Sequence, residues 1–507
     1  MIIKNLKTLK DFFDINKPLI FGAGVYAFDR LGLEKIIPDY RIIALRHSLD
    51  TKLIKEDIKI LFLEKGMGTK HIREPRNATT VISRIPKTKQ YIEKIAGKNP
   101  NRPGPFLLVY KPSQKMEKTC EENDWKLMAN PFHFGKELLE NKIKFREILQ
   151  EIGVPVPQGK TSSIDKLHYG HLMNKYGLPF VIQHPTRGGG KGTFFINSHA
   201  DFNKAISKLG STWNEDDEHN IKATNKVIVA QFIKGSSPSI AGCVTRHGIL
   251  TTSLQHQVLD IPELYNPEKG SGLFCGHDWT SSRFPESISK QAYEYTEKIG
   301  EYFKKLGYKG IFGLDFILNE KTGKLYVVEC NPRLVGTLPT INMAQALNNE
   351  VPILACHVLE FLGIDYQMDI KAINKSMRQE KRGAHMFIRN ITGRWARNHR
   401  QLRAGIYKLT KKNKLKYLRP GYDLCHLKNN KEFLLADGVP LKKSHFSPNR
   451  RLCRVLTLNS ILDETDYKKL NPWATQVTQV VYRGFQIKPV RFIKIKKFFA
   501  PNFLAKG

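Results

Sequence analysis

The stretch Gly310–Arg333, GIFGLDFILNEKTGKLYVVECNPR, constrains the fold more than any other part of the chain. Two runs rich in Leu, Ile, Val, Phe and Tyr, Gly313–Asn319 and Leu325–Cys330, flank Glu320-Lys321-Thr322-Gly323-Lys324, a short loop with a glycine available for positive φ. The pattern predicts a β-hairpin. Symmetric pairing about Thr322 sets Asp315 against Glu329 and Ile317 against Val327 on one face. Leu314, Phe316, Leu318, Tyr326, Val328 and Cys330 then share the other. Directly opposed residues have Cβ atoms roughly 5 Å apart, so two ionised carboxylates repel unless a cation lies between them or one keeps a proton. Asn331 and Arg333 continue the alternation onto the carboxylate face if the strand runs past Pro332. Asp, Glu and Asn oxygens are the donors that a hard cation such as Mg2+ takes, together with phosphate oxygens and water. The plainer alternative is an exposed hairpin whose acids face water; apolar neighbours on both faces weigh against it.

At 507 residues the chain exceeds one ordinary core, and two to four domains are expected. No 18-residue apolar run predicts a membrane span, and the opening MIIKNLKTLKDFFDINK is interrupted by charges throughout. The seven cysteines lack paired spacings, which fits a reducing, cytoplasmic setting. Cys425-His426, His445 and Cys453 match no standard zinc spacing and read as dispersed structural residues. The net charge of +35 is uneven: from Asp365 onward, 32 basic residues face 9 acidic ones. A distinct basic module is expected to begin there, after a helix-like Val351–Leu362.

Upstream, PLIFGAGVYAFDRLG (Pro18–Gly32) reads as strand, glycine-rich turn and helix. Gly22 and Gly24 start a dinucleotide fingerprint, but Ala27 occupies the third glycine position and no well-placed ribose-binding acid follows. A Rossmann-like layer without NAD is expected. PFLLVYKP (Pro105–Pro112) reads as a later strand of that layer, and Glu137–Gly153 as a helix ending at a glycine cap.

LPFVIQHPTRGGGKGTFFI (Leu178–Ile196) is strand, glycine run, strand. Gly188, Gly189, Gly190 and Gly192 let backbone N–H groups approach an anion, and Arg187 and Lys191 add positive charge. The loop joins two strands and lacks a Walker pattern. It is either a plain flexible turn or a phosphate-covering flap, and the flanking cations favour the flap. KVIVAQFIKG (Lys226–Gly235) is an apolar strand whose released end could offer backbone groups to a flat purine.

Taken in order, the helix with Lys142, the glycine flap, the hinge strand and the carboxylate hairpin resemble the ATP-grasp superfamily over roughly residues 18 to 364. The resemblance is most specific at GYKGIFGLDFIL and LYVVECNPR, with its acid-x-Asn-x-Arg ending. It implies an α/β (α+β) fold: a Rossmann-like pre-ATP-grasp domain (1–135), a lid subdomain with the flap (136–235), a metal-binding catalytic subdomain (236–364) and the basic module (365–507). It implies that Asp315, Glu329 and Asn331 hold two Mg2+ ions, with Mn2+ as a substitute, bridging the ATP phosphates. Arg333 would steady the acyl-phosphate or the attacked carboxylate, and Lys191 would act from the closed flap. Lys142, Gln183, Arg187 and the flap glycines would contact phosphates. Ala230, Gln231, Phe232 and Ile233 would form the adenine hinge. Gln183 stands where the family usually has Lys, and Ala230 where it usually has Glu.

The implied activity is ATP-dependent ligation of a small-molecule carboxylate to an amine through an acyl-phosphate. The biotin carboxylase branch carries Gln-Val-Glu-His after its arginine; here Leu334-Val335-Gly336-Thr337 follows Arg333, and no Ala-Met-Lys-Met sequence occurs, so ligation is preferred over carboxylation. Two other readings stay open: a nucleotide-binding protein without turnover, and a nucleic-acid-binding protein acting through its basic end. TTSLQHQ (Thr251–Gln257) reads as a strand beside the cleft and GSGLFCGHDW (Gly270–Trp279) as a loop at its mouth. Arg246, His256 and Arg283 are candidates for gripping an anionic substrate. Gln479–Phe503 alternates apolar and cationic residues as a half-buried strand does; it is either a solvated face of the C-terminal module packing on the ligase core or the surface that meets an anionic partner: an acidic membrane surface, an RNA-linked substrate or an acidic peptide.

Overall fold

The computed structural model describes residues 1–64, 78–187, 192–214, 220–221, 223–266 and 272–490. The N-terminal layer is a parallel sheet of β1 (Ile20–Gly24), β2 (Arg41–Ala44), β3 (Lys59–Phe62), β4 (Phe106–Leu108) and β5 (Lys126–Met128), in the order β3-β2-β1-β4-β5. The expected helix after β1 is only one 3-10 turn, Ala27–Arg30. Gly22 lies inside the strand: a Cβ there would run into the Tyr40 hydroxyl, which donates to the Arg30 carbonyl at 2.9 Å. Its glycine serves close packing within the layer.

Helix α1 (Lys142–Glu151) begins later than expected, because Asn141 caps it. The Asn141 side-chain oxygen accepts from the N–H groups of Ile143 at 3.1 Å and Lys144 at 3.4 Å. The preceding residues form a separate π-helical turn, Phe134–Leu139. Next comes an antiparallel sheet of β6 (Gly159–Ser163), β7 (Phe180–Gln183), β8 (Thr193–Ile196) and β9 (Lys226–Gln231), ordered β6-β9-β7-β8. Helices α2 (Tyr169–Tyr176) and α3 (His199–Leu209) bury Leu172, Phe202 and Leu209 against its Phe180, Ile182 and Val229. The β7–β8 hairpin carries the glycine run; Gly188, Gly189, Gly190 and Lys191 lie outside the described residues.

The remaining strands are β10 (Pro238–Thr245), β11 (Gly248–Thr251), β12 (Gln255–Leu259), β13 (Phe274–Asp278), β14 (Gly310–Asn319) and β15 (Lys324–Asn331), with helix α4 (Glu286–Lys305) before β14. Helices α5 (Leu338–Leu347) and α6 (Ile353–Phe361) follow, then β16 (Ala384–Arg389), β17 (Gly405–Leu409), β18 (Leu415–Arg419), β19 (Glu432–Ala436), β20 (Arg451–Thr457) and helix α7 (Pro472–Phe485). All these strands belong to one 11-stranded sheet, β15-β14-β10-β12-β13-β16-β20-β19-β17-β18, with β11 on β10.

Four expectations need correction. The sheet crosses residue 365 without a break, since β13 pairs with β16, so the change in charge is not a break in the fold. Residues 274–278, expected in a loop, form the interior strand β13 between β12 and β16. In the carboxylate hairpin Asp315 does oppose Glu329, but Phe316 pairs with Val327 and Ile317 with Tyr326. A β-bulge at Val328 shifts the register by one residue, placing Val327 and Leu325 on the apolar face and Tyr326 on the carboxylate face. Finally, residues 479–485 are helical. Asn471 caps α7 with Pro472 at its first position, and Val477, Val480, Val481 and Phe485 form its buried stripe. The cationic run from 491 lies outside the described residues.

One hydrophobic cluster runs from Ile3 and Phe28 through Leu338 and Val358 to Leu456, seating the N-terminal layer on the large sheet. Ile2–Ile3 also pairs in parallel with Gln367–Met368. Among the described residues no helix is long and apolar enough to cross a membrane.

Candidate active site

The β14–β15 hairpin, the N-terminus of α1 and the end of β12 converge on one polar network. Asp315 is held by two amides: Gln257 Nε2 donates to its Oδ1, and Asn331 Nδ2 donates to its Oδ2 at 3.3 Å. Glu329, directly opposite, takes the buried Lys142, whose Nζ lies 3.1 Å from its Oε2. The Asn141 cap and a backbone bond from Lys142 N–H to the Pro185 carbonyl (2.8 Å) set the lysine's place. Burial first, and then repulsion by Glu329, push the Asp315 carboxyl up to about 7, against the pull of Lys142 and the Gln257 bond. The protein's own ammonium thus sits beside the carboxylate pair. The Asp315 and Glu329 oxygens fit a hard divalent cation in chemical type, and a buried acid that is costly to ionise has reason to take one; Asn331, whose amide nitrogen faces Asp315 while its oxygen accepts from Arg333, would add an oxygen on turning over.

Arg333 is fixed beside them. One guanidinium nitrogen donates to Asn331 Oδ1 at 2.8 Å and another to the Tyr110 hydroxyl, with the Tyr110 ring 4.7 Å from Cζ. Glu140 stands 3.6 Å from Arg333 Nε and is itself held by Lys111 at 2.7 Å. A contiguous polar line therefore runs from the N-terminal layer (Tyr110, Lys111) to the carboxylates.

A pocket opens beside Lys142, lined by that residue with Arg146, Gln183, Ala230, Val327 and Val328. Gln183 donates to Thr193 Oγ1 at 3.3 Å. Arg146, one turn after Lys142, donates to the carbonyls of Pro157 at 2.5 Å and Gly159 at 3.3 Å, and so brings a guanidinium to the pocket where Gln183 brings none. Ala230 is buried, Gln231 is exposed, Phe232 packs edge-on against Phe195 and Ile233 is buried. Gly192 closes the flap base, its carbonyl accepting from His184 N–H at 2.8 Å close to Arg187.

The three proposed anion grips go elsewhere. Arg246 pairs with Asp365 (3.4 Å) and Glu360 (3.9 Å) at the far end of β10. His256 is buried between the rings of Phe284 and Tyr467, where burial lowers it to about 4 and keeps it neutral. Arg283 is exposed. Gln257, Glu140, Tyr110 and Arg146 were not singled out from the sequence. Only the place of Gln257 two residues beyond Gln255, in a segment read as a strand beside the cleft, hinted at a role.

A family described as an ATP-grasp domain matches residues 139–337, the span holding Lys142, the flap, the hinge and the carboxylate hairpin. Residues 139–337 thus form an ATP-grasp domain. The arginine-specific carbamoyl phosphate synthase large chain of Halalkalibacterium halodurans is 25% identical over 212 residues, 41% of this chain and 18% of its own. The D-alanine–D-alanine ligase of Carboxydothermus hydrogenoformans is 23% identical over 219 residues, 41% of this chain and 65% of its own. The chain thus spans about one fifth of the first relative and just under two thirds of the second. In fold it is similar to the biotin carboxylase domain of Hydrogenobacter thermophilus 2-oxoglutarate carboxylase, solved with MgADP and bicarbonate. That likeness has a TM-score of 0.52 at 13% identity, over 87% of this chain and 86% of that one. The likeness in fold therefore extends beyond residues 139–337 into both flanking parts of the chain.

Proposed function

We propose that the protein is an ADP-forming ligase that joins a small-molecule carboxylate to an amine. The observation that carries this reading is the network itself: Lys142, Asp315, Glu329, Asn331 and Arg333 meet where the pocket lined by Gln183 and Ala230 opens. ATP would lie in that pocket with its adenine along Ala230–Ile233 and its phosphates toward Lys142 and Gln183. The flap residues Arg187 to Gly192, Lys191 among them, would cover the phosphates. Asp315, Glu329 and Asn331 would hold Mg2+ or Mn2+, which when bound neutralises charge on the transferring phosphoryl group.

This chain's own residues supply the rest. Arg333, held by Tyr110 and Asn331, orients the substrate carboxylate so that its oxygen attacks the γ-phosphorus as ADP leaves. The amine then attacks the acyl carbon, phosphate departs with the carboxylate oxygen, and the nitrogen loses its proton. A fixed cation at each end of the reacting group needs no reorganisation during the reaction, which is the source of its catalytic value. A flap closed over the phosphates would exclude water from the acyl-phosphate. The seven free cysteines, six of them buried, suit a reducing cytoplasm. The reading is tested by phosphate release from ATP in the presence of pooled carboxylates and amines, with and without Mg2+. Release that depends on Mg2+ and on both substrates is expected; ATP that binds without any ADP appearing overturns the enzyme reading.

A further inference from the structure

The carboxylate face of the large sheet does not end at Gln257. Gln257 on β12 stands opposite His277 on β13, and His277 stands opposite His385 on β16, so one row of polar side chains leads away from Asp315 across the strands. Two residues further along β16, Phe387 opposes Arg454 on β20, and Arg389 opposes Arg451. Three guanidinium carbons surround the Phe387 ring: Arg454 at 4.7 Å, and Arg389 and Arg451 at 5.2 Å each. Opposite them, the N-terminal layer contributes Phe28, 5.2 Å from Arg454, and Asp29, 3.8 Å from Arg451.

This concentration of cations is only partly neutralised, by Asp29 and Asp437. Asp437 serves two arginines at once, Arg454 and Arg451, each at 2.9 Å. The carboxylate of Asp50 is spent on the backbone N–H groups of Asp437, Gly438 and Val439. Arg389 has no carboxylate partner among the described residues, and its Nε is buried without an acceptor.

A second observation is independent of charge. Both ring nitrogens of His385 lack a hydrogen-bond partner at 0% exposure, as do Nδ1 of His277 at 4% and Nε1 of Trp279 at 3%. Each buried, unmade hydrogen bond costs about 1–3 kcal/mol, and folded proteins keep few of them. Here they line up along the row that joins the arginines to the reaction centre. The imidazoles are held neutral, by burial first and then by Arg454. They can therefore donate to or accept from a ligand without adding repulsion between cations. Arg389 and Arg451 are only half-buried, so each keeps some surface for a ligand.

We propose that this arginine–histidine row binds the anionic end, a phosphate or a carboxylate, of the second substrate, whose other end reaches Arg333. The proposal rests on the ligase reading for the identity of that molecule, but not for the existence of the anion site. The row also bounds the ligand's length. β16 and β20 lie four and five strands from β14, or roughly 19–24 Å at about 4.8 Å per strand. Inward-reaching arginine side chains shorten this, so the occupant is an extended molecule with its charge remote from the reacting nitrogen or carboxylate.

The test uses the full-length protein, with pyrophosphate and citrate as probes of the two anion types, read by thermal shift. A saturable rise in Tm with one probe is expected. Its apparent Kd should weaken at least tenfold in the double variant Arg389→Gln/Arg451→Gln. Response to pyrophosphate alone assigns a phosphate-bearing substrate, and response to citrate alone a carboxylate-bearing one. No response to either probe, or an equal response in the double variant, overturns the proposal. Should the double variant fail to fold, phenylglyoxal labelling of the wild type replaces it: the probe must shield Arg389 and Arg451, and equal labelling with and without probe overturns the site. MgATP binding, followed in parallel with a fluorescent ATP analogue, separates the two claims. Shielding by anion without MgATP binding would sink the ligase reading and leave this site standing.

Discussion

If Asp315 holds the divalent cation, as proposed, nucleotide binding depends on pH. Burial and the opposing Glu329 raise its carboxyl to about 7 from an ordinary 3.8, while Lys142, Gln257 and Arg333 favour the ionised form. A divalent cation needs the ionised carboxylate, so binding must first displace the proton. One pH unit below 7 leaves about one site in ten ready, a cost of about 1.4 kcal/mol. The expected result is a Mg2+-dependent ATP affinity that is level above pH 8 and falls about tenfold per unit below 7. Without metal the sign reverses. The fold holds this proton more tightly than the unfolded chain does, so the contribution of Asp315 to metal-free stability is lost as pH rises from 3.8 through about 7. The thermal shift produced by Mg2+ with a non-hydrolysable ATP analogue should accordingly be larger at pH 8 than at pH 6. Calorimetric titration across this range measures the profile, and in Glu329→Gln its break should move to lower pH as the repulsion disappears. Affinity that stays flat from pH 5.5 to 8 would refute the reasoning.

Gln183→Lys places a charge beside Lys142 in the pocket that both line, and MgATP should bind several-fold tighter; weaker binding in a fluorescent-analogue titration would show that Gln183 does not face the phosphates. Asp437→Asn strips the shared partner from Arg454 and Arg451 inside the fold, where breaking a buried ion pair costs about 3–5 kcal/mol, so a large fall in urea midpoint is expected. A change within experimental error would show that the two arginines find water instead.

The carboxylate pair was legible because period-two alternation and a short glycine loop leave a strong mark in sequence, and Asp315 does oppose Glu329. The bulge at Val328 was not, since one inserted residue changes register without changing composition. The interior strand β13 looked like a loop because of its glycines. Yet at Gly276 a Cβ would strike the His385 carbonyl, so that glycine marks a neighbouring strand's close approach. The start of α1 was misplaced because Glu137 to Glu140 have good helix propensity, and only the cap at Asn141 shows where the new helix begins. Least legible was the arginine cluster. Arg389, Arg451 and Arg454 come from two strands that pair only in the folded sheet, so their charge read as part of a solvated basic surface.

The account stands or falls on transfer of a carboxylate oxygen to phosphate. Heavy-oxygen-labelled carboxylates, pooled with amines, MgATP and the full-length protein, should yield inorganic phosphate carrying one labelled oxygen per ADP formed, and Glu329→Gln should abolish the transfer while the circular dichroism spectrum is unchanged. ADP formed with unlabelled phosphate, or labelled phosphate formed equally well by Glu329→Gln, would contradict it.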